Sequence, residues 1–323
     1  MGSSGYAIIS VMQTFVVADI GGTKIRAAVF QAGNPKPVLV KKIRTRDKQQ
    51  SPIERLVSLF HEMWPVDDPV TAIVVAVPGY LDINEGLIVE APNVPGWINI
   101  PIRDILENEF HTPVLVGNDA NLAAMGEWRY GAGIDHDNLL YLTISTGIGG
   151  GAIVNGKVLN GARGLAGEFG HITVVPNGPL CGCGHRGHLE AVASGTAIAR
   201  YVSERIALGA NSSLSAIANP TATDVSQAAQ QGDELALQAI QMAGTYIGHT
   251  LADFMHLFNP SIVIFGGGVI AAGELILEPI KKALPEYILG QAYLEKVQIV
   301  TASLGDDAGL IGGLALAETT LMA

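Results

Sequence analysis

Two apolar segments that each break into a glycine-rich turn and then resume constrain the fold of this chain most strongly. The first occupies residues 15–30 and turns at Gly21-Gly22-Thr23-Lys24; the second occupies residues 139–154 and turns within 145–151. Each segment predicts a β-hairpin whose tip exposes backbone N–H groups and a Thr hydroxyl, which are donors suited to phosphate. Their recurrence about 120 residues apart predicts a duplicated domain with one phosphate-binding hairpin in each half.

Neither turn is a Walker loop, because no Gly-Lys-Ser/Thr sequence followed by a helix occurs there. Asp19, at the end of the first predicted strand, is suited to hold a hydrated magnesium ion. One such turn on its own is equally compatible with an ordinary hairpin that carries a solvent-exposed acid. The recurrence favours the phosphate interpretation.

The remaining apolar patterns predict alternating strands and helices. Further strands are expected at 38–43, 71–77, 113–116, 261–265 and 297–301, helices at 52–63, 122–128, 191–206, 233–258, 275–283 and 307–317, and a surface loop at 211–224. Because three strands precede the first helix and another strand follows it, the first half should form a mixed sheet with helices packed on it.

The chain has two cysteines, Cys181 and Cys183, with one glycine between them. His171 lies ten residues before the first cysteine and His188 five residues after the second, which completes the Cys2His2 ligand set of structural zinc. A buried apolar pair and a redox couple are the alternatives. The glycine and histidine surroundings disfavour burial, and redox pairs more often have Cys-x-x-Cys spacing. A closed four-ligand site would clamp this loop.

Polar residues at the ends of predicted strands are candidate binding and catalytic groups. Asn118 and Asp119 end a short strand, where either residue could be a helix N-cap. A partly desolvated carboxylate at a strand end is also a good general base for a substrate hydroxyl, and both interpretations stay open. The loop with Asn93 and Trp97 combines an amide and an aromatic ring, which suit a sugar, although a loop Trp more often packs. The Gly266-Gly267-Gly268 sequence, which is expected to open a helix, lets a flat ring or phosphate approach the backbone.

Charge and hydropathy exclude other classes of partner. With a net charge of −11, the chain lacks the basic surface that nucleic acid or an anionic membrane requires. Its apolar runs are too short to cross a bilayer, and the N-terminus lacks the cationic start and apolar core of a signal peptide. We therefore expect a cytoplasmic protein with a small-molecule partner. The opening residues 1–5 are left out of these fold predictions.

In chain order, the motifs are 19–24, Pro78-Gly79, Asn118-Asp119-Ala120-Asn121, 145–151, Glu168-Phe169-Gly170-His171, Cys181-Gly182-Cys183-Gly184, Glu190 and 266–268. This series resembles that of the ROK family, which contains sugar kinases and transcriptional repressors. The resemblance extends from about Thr14 to the C-terminus. It implies an α/β, actin-like ATPase (ribonuclease-H-like) duplicated fold, with ATP and a hexose in the cleft between two domains. The smaller domain should comprise residues 1–118 and 305–323, and the larger one residues 119–304.

The resemblance also assigns roles to residues. Asp119 would take the proton from the sugar hydroxyl. The residues implied to bind the sugar are Gly79, Asn93, Asn118, Asp119, Glu168, His171 and Glu190. Those implied to line ATP are Gly21, Gly22, Thr23, Lys24, Thr146, Gly147, Gly267 and Gly268, with Asp19 near Mg2+. The implied ligands of a structural Zn2+ are His171, Cys181, Cys183 and His188.

His188 is the one departure from the family pattern, because the fourth zinc ligand is usually a cysteine. The replacement changes the formal charge of the zinc site from −1 to 0 and makes binding more sensitive to acid. His185 is nearer in sequence to the cysteines, but it occupies a family position that is not a ligand.

The resemblance implies in-line phosphoryl transfer from Mg-ATP to a hexose, with glucose as the expected acceptor and a homodimer or homotetramer as the expected assembly. Kinases for N-acetylmannosamine, N-acetylglucosamine, fructose or allose share most of these residues, and polyphosphate is an alternative donor. The alternative outside the enzymes is a non-catalytic, sugar-sensing ROK regulator. Such regulators carry a helix-turn-helix segment before the first hairpin, whereas this hairpin begins within the first 20 residues.

Overall fold

A computed structural model describes residues 13–66, 68–94 and 96–322 of the chain. The opening residues 1–5, and the N-terminal stretch examined for a signal peptide up to residue 12, lie outside the described residues. The chain divides into two compact units. The N-terminal unit runs up to Asp119 and resumes at Gly309, and the central unit is Ala120–Ala308. The boundaries expected from the family resemblance were 118/119 and 304/305.

The elements up to Asp119 are β1 (Thr14–Ile20), β2 (Lys24–Gln31), β3 (Leu39–Arg44), α1 (Pro52–Met63), β4 (Val70–Val77), β5 (Tyr80–Asp82), β6 (Leu87–Glu90), β7 (Ile98–Ile100), α2 (Ile102–Phe110) and β8 (Val114–Asn118). The elements that follow are α3 (Asp119–Tyr130), β9 (Leu139–Ile144), β10 (Ile148–Val154), β11 (Lys157–Val158), α4 (Leu189–Ala193), α5 (Gly195–Ala207), α6 (Ala222–Gln230), α7 (Glu234–Phe258), β12 (Ile262–Gly266), α8 (Glu274–Tyr287), β13 (Gln298–Thr301) and α9 (Ala308–Leu321).

The main sheets of the two units have the same topology. In the N-terminal unit the strand order is β3-β2-β1-β4-β8, and in the central unit it is β11-β10-β9-β12-β13. In each sheet the first three strands pair antiparallel and the last three pair parallel. The predicted mixed sheet, the two glycine hairpins and their duplication are therefore confirmed.

Each sheet is covered by helices that bury an apolar face. In the N-terminal unit, Leu56 and Phe60 of α1 and Leu106 of α2 are fully buried in the core that also contains the strands. Complete burial of side chains of this size contributes about 1.5–3 kcal/mol each. Helix α9 packs closely on β1, because a Cβ at Gly313 would lie 2.3 Å from Cγ1 of Val17.

In the central unit, α7 carries the predicted buried stripe. Its members Ala236, Ile240, Ala243, Ile247, Leu251 and Phe254 are buried, and Phe258 packs on the same core while partly exposed. Two glycines let α8 approach α7 closely, because a Cβ at Gly244 would lie 2.7 Å from Cβ of Pro279 and one at Gly248 would lie 2.5 Å from the carbonyl oxygen of Ile280.

Three sequence predictions in the central unit were wrong in detail. The helix expected at 191–206 is two helices, α4 and α5, because Ser194 has extended backbone angles and its hydroxyl accepts the N–H of Ala197 as the N-cap of α5. The loop expected at 211–224 contains a 3-10 turn and the start of α6, which Thr221 and Asp224 cap reciprocally. The three glycines do not open α8 directly, because a 3-10 turn, Gly268–Ala272, begins at the last of them and precedes the helix.

Within the described part of the chain, none of the helices has the length and apolar character that a membrane span requires.

Candidate active site and metal centre

The first glycine turn lies between β1 and β2 and packs against the loop that holds Asn93. The N–H of Gly21 donates to the carbonyl of Lys24 at 2.9 Å, and the buried Thr45 hydroxyl donates to the carbonyl of Gly21. A Cβ at Gly22 would lie 2.6 Å from the carbonyl oxygen of Asn93, so only glycine allows this approach. Asn93 and the hairpin tip are thus brought together, while Thr23 and Lys24 are exposed.

The predicted magnesium residue, Asp19, lies at the beginning of α9. A Cβ at Gly309, in the first turn of that helix, would lie 3.1 Å from Oδ2 of Asp19. The partial positive charge at a helix N-terminus favours a carboxylate there. Asp19 is half-buried, next to the hairpin whose tip carries the predicted phosphate donors.

Asn118 and Asp119 lie where parallel strands end, beside Gly79. Strand β8 ends at Asn118, which pairs with Val77 at the end of β4, and α3 begins at Asp119. The side-chain amide of Asn118 donates to the carbonyl of Gly79 at 3.5 Å. Gly79 has φ +100°. The carboxyl ends of parallel strands are the usual ligand edge of an α/β sheet. Asn118 and Gly79 are therefore directly in contact, and Asp119 follows them at the same edge.

Trp97, in the loop considered for sugar binding, is 2% exposed and belongs to the hydrophobic core of the N-terminal unit. Its packing role, which the sequence favoured, is confirmed.

The second glycine turn lies between β9 and β10 and is bonded to the start of α5. The N–H of Gly195 donates to the carbonyl of Ser145 at 2.8 Å. The hydroxyl of Thr196 donates to the carbonyl of Thr146 at 2.8 Å. The break between α4 and α5 therefore places a helix N-terminus directly on the turn.

A cavity of about 570 Å³ opens beside this turn. This volume lies in the range of small-molecule sites. Of the predicted nucleotide residues in this unit, Thr146 and Gly268 line the cavity. Gly267, which precedes Gly268, packs on the end of β9, because at φ +89° its Cβ would lie 2.3 Å from the carbonyl oxygen of Ile144. Other lining residues, which the sequence analysis missed, include Thr196, Arg200 and Asn219.

Glu190 connects the second turn to the cysteines. Its Oε2 accepts the N–H of Ile148 at 3.1 Å, and its Oε1 lies 3.4 Å from Sγ of Cys181. A Cβ at Gly147 would lie 2.3 Å from Glu190 Oε2. One carboxylate predicted to bind the sugar therefore touches both the phosphate hairpin and the predicted metal loop.

The four predicted zinc ligands form one cluster. Donor atoms of His171, Cys181, Cys183 and His188 all lie within 4.8 Å of one another. Cys183 Sγ is 3.3 Å from His188 Nδ1, Cys181 Sγ is 3.7 Å from His171 Nδ1, and the two histidine Nδ1 atoms are 3.4 Å apart. Ligand atoms around a tetrahedral zinc ion lie about 3.3–3.8 Å apart, so the donor set fits zinc. His185, 3.7 Å from Cys183 Sγ, lies outside the cluster.

Burial determines the protonation state of two of the four cluster residues. Burial, together with the Cys183 side chain and Glu190, raises the pKa of the Cys181 thiol to about 11, against the lowering effect of the Cys183 backbone. Burial lowers the pKa of His188, and the neighbouring His171 and His185 lower it as well. Without an ion the cluster therefore holds a neutral thiol at Cys181 and a neutral imidazole at His188, and an ion that binds must displace the thiol proton.

His171 presents its two ring nitrogens to different neighbours. Nδ1 faces the cluster, whereas Nε2 lies 4.0 Å from Oε2 of Glu168. A ligand histidine whose second nitrogen faces a carboxylate is held in one orientation. Of the predicted sugar residues, His171 thus belongs to the metal cluster, and Glu168 and Glu190 each lie against one of its members.

Comparison with known proteins agrees with these features. The ROK family model matches residues 15–320. The chain is 36% identical to a glucokinase of Halalkalibacterium halodurans over 93% of both proteins. A solved ROK family glucokinase from Streptomyces griseus, in complex with glucose and AMPPNP, is 36% identical and has a TM-score of 0.79, covering 95% of this chain and 99% of that one. A solved ROK family transcriptional regulator, a homolog of the E. coli MLC protein, is 29% identical with a TM-score of 0.85, covering 95% of this chain and 78% of that one.

The family match covers nearly all the described residues, and the two units repeat one sheet topology. The chain therefore belongs to the ROK family, and its fold is the two-domain, actin-like ATPase fold of the family's sugar kinases.

Proposed function

We propose that the chain is an ATP-dependent hexose kinase with glucose as its preferred acceptor. The observation that carries the proposal is the position of Asp119. It begins α3 directly after a parallel strand and follows the Asn118 amide that contacts Gly79. The 36% identity to named glucokinases over most of the chain supports glucose among the hexoses.

Asp119 acts as the general base. Its carboxylate accepts the proton of the sugar hydroxyl while the hydroxyl oxygen attacks the γ-phosphorus of ATP. The bond between the γ-phosphorus and the bridging oxygen breaks, and ADP leaves. Asn93, Asn118 and Gly79 orient the sugar from the N-terminal unit.

Each glycine turn is the phosphate-binding element of its own unit. Backbone N–H groups and the hydroxyls of Thr23 and Thr146 donate to phosphate oxygens, and Lys24 adds a positive charge. Asp19 would hold hydrated Mg2+, which would supply positive charge against the phosphates. The cavity beside Ser145 and Thr146 takes the nucleoside, with the small Gly268 in its wall.

A structural zinc ion would be held by His171, Cys181, Cys183 and His188. A closed four-ligand site leaves no position for substrate, so the ion would supply rigidity rather than Lewis acidity. Bound to the ion, the ring of His171 would be fixed. The carboxylate of Glu190 would be fixed as well, because it contacts the ligand Cys181. His171 and Glu190 would then each bind the sugar from a single, fixed side-chain conformation.

A sugar-binding ROK regulator without kinase activity is the second candidate, which the likeness to the solved transcriptional regulator favours. Coupled ADP release discriminates the two. The assay uses Mg-ATP, and in parallel polyphosphate, with glucose, mannose, fructose, allose and the two N-acetylhexosamines. We expect the highest kcat/KM with ATP and glucose; absence of turnover with every pair would favour the regulator.

The same assay tests the base. Asp119→Asn should lower kcat by about 10²–10⁴-fold, because the amide cannot accept the proton. Glucose binding measured by calorimetry should persist. Asp104→Asn, an exposed acid on α2, is the matched control. Near-normal turnover by Asp119→Asn would remove Asp119 from this role.

A further inference from the structure

We propose that Arg200 is a positioning residue that couples nucleotide binding in the cavity to the metal loop and to Glu190. The inference rests on the proposed kinase function, and it adds a route by which the two substrates influence each other's affinity. It arises from the contacts of one guanidinium group on α5.

Arg200 holds two backbone positions that matter for the site. Its Nη1 donates to the carbonyl of Leu180 at 3.3 Å, and its Nη2 donates to the carbonyl of Ala191. Leu180 directly precedes the ligand Cys181, and Ala191 directly follows Glu190. One side chain thus fixes the backbone next to a metal ligand and next to a sugar-binding carboxylate.

The same side chain forms part of the cavity wall. Of the residues that line the cavity in the described part of the chain, Arg200 alone carries a charge at neutral pH. It lies just over one turn along α5 from Thr196, which binds the second glycine turn. Helix α5 therefore contacts the phosphate turn with its first residues, the cavity with one face, and the metal loop through Arg200.

The guanidinium is suited to transmit a displacement. It is planar and holds its donors at fixed angles, so it bonds two carbonyls at once, and its Nε lies 3.7 Å from Oε1 of Glu204. A nucleoside that contacts Arg200 fixes the group and thereby both carbonyls. A lysine is a single flexible charge and cannot hold the two carbonyls in one geometry.

Coupling between two sites is reciprocal, so it is measurable from either ligand. The experiment measures the Kd of Mg-ADP by calorimetry without and with saturating glucose, and the Kd of glucose without and with Mg-ADP. The proteins are the zinc-loaded wild type, Arg200→Lys, Arg200→Met and the control Arg205→Lys, an exposed residue on the same helix. Zinc content and thermal unfolding are recorded for each protein.

In the wild type, we expect glucose to change the Kd of Mg-ADP by about fivefold or more, the lower range of measured allosteric couplings. Arg200→Lys and Arg200→Met should bring this ratio close to one with zinc content unchanged, and Arg205→Lys should keep it. A merely structural role would weaken both ligands and leave the ratio intact. If Arg200→Met does not fold, Arg200→Lys decides.

An unchanged ratio in Arg200→Lys, or a ratio of one in the wild type, overturns the coupling while glucose phosphorylation stands. Failure of the proposed function looks different. A sugar-binding regulator would bind glucose without Mg-ADP, and a kinase for another hexose would bind Mg-ADP without glucose, so one of the two Kd values would be missing.

Discussion

The two glycine turns share one topology but differ in what their glycines contact. At the first turn, Gly22 makes room for the backbone carbonyl of Asn93; at the second, Gly147 makes room for the side chain of Glu190. A backbone neighbour can move only with its loop, whereas a carboxylate can rotate away. The first turn is therefore fixed by its fold. The second depends on how Glu190 is held, and Glu190 in turn touches the metal cluster.

Among the tests of this contrast, we expect the largest effect from removing a ligand of the metal cluster that Glu190 contacts. Cys181→Ser should lose the zinc ion and raise the Kd of glucose by tenfold or more, because even the outer partners of a metal site are worth about 10–100-fold. Metal content by mass spectrometry and glucose binding by calorimetry measure both effects. His185→Ala, next to the cluster but outside it, is the control and should keep both. A metal-free Cys181→Ser protein with normal glucose affinity would disconnect the cluster from the sugar.

The first turn should respond to added volume with a loss of stability. Gly22→Ala places a Cβ 2.6 Å from the carbonyl oxygen of Asn93, so the loop must shift. Overpacking of this kind costs about 1–3 kcal/mol in the free energy of unfolding, measurable by urea denaturation. Gly290→Ala, where a Cβ meets no atom within 4 Å, should be close to neutral. Equal stability of the two variants would mean that the Asn93 loop moves away from the added Cβ at little cost in free energy.

The β-hairpins could be predicted from the sequence more completely than the break between α4 and α5. The hairpins were predictable because long apolar runs interrupted by glycine have few alternatives, and β9 has the expected bounds. The break at Ser194 was not predicted, because two features hide it in a helical pattern. A Gly inside a helix costs only about 1 kcal/mol, and the decisive contact, Gly195 N–H to Ser145, joins residues 50 positions apart. The short strands β5 to β7 have too few residues to show a period.

The site residues also divide into those that the sequence indicated and those that it did not. Motifs with unusual residue types, such as the four metal ligands or the Gly79 and Asn118 pair, come together within their units as the family resemblance implied. The cavity wall was missed because Thr196 and Arg200 are ordinary helix residues. The Ser194-Gly195-Thr196 sequence, a cap residue followed by glycine, is the signal that could have indicated a helix start there.

Acid should also act on the two units unequally. In the central unit Asp233 caps α7; burial raises its pKa, but the N–H of Ala236 and bonds from Ser213 and Ser212 outweigh burial and lower the pKa to about 2. In the N-terminal unit the exposed Glu54 of α1 has a lowered pKa through Ser51 alone. Since the unfolded chain binds these protons more readily, each contribution to stability is complete above the ordinary pKa and is lost as pH falls through the folded one.

Asp233→Ala should therefore lower the free energy of unfolding at neutral pH by about 0.5–2 kcal/mol, the usual value of an N-cap. The difference from wild type should shrink between about pH 4 and pH 2, the interval between the ordinary and the folded pKa. Urea unfolding at several pH values measures it. Glu54→Ala is the matched comparison and should cost less. A cost for Asp233→Ala that does not change over this pH interval would show that the charge of Asp233 is not what stabilises α7.

The smallest expected effect tests the contrast between the turns directly. Gly147→Ala pushes the flexible end of Glu190 and breaks its bond to the Ile148 N–H. Unfolding should change by less than for Gly22→Ala, while the glucose KM rises several-fold, since one hydrogen bond is worth about 0.5–1.5 kcal/mol. In a Glu190→Gln background the same substitution should add little, because Glu190 is its route to the sugar. Full additivity of the two KM effects, or a stability loss as large as that of Gly22→Ala, would make the two turns equivalent.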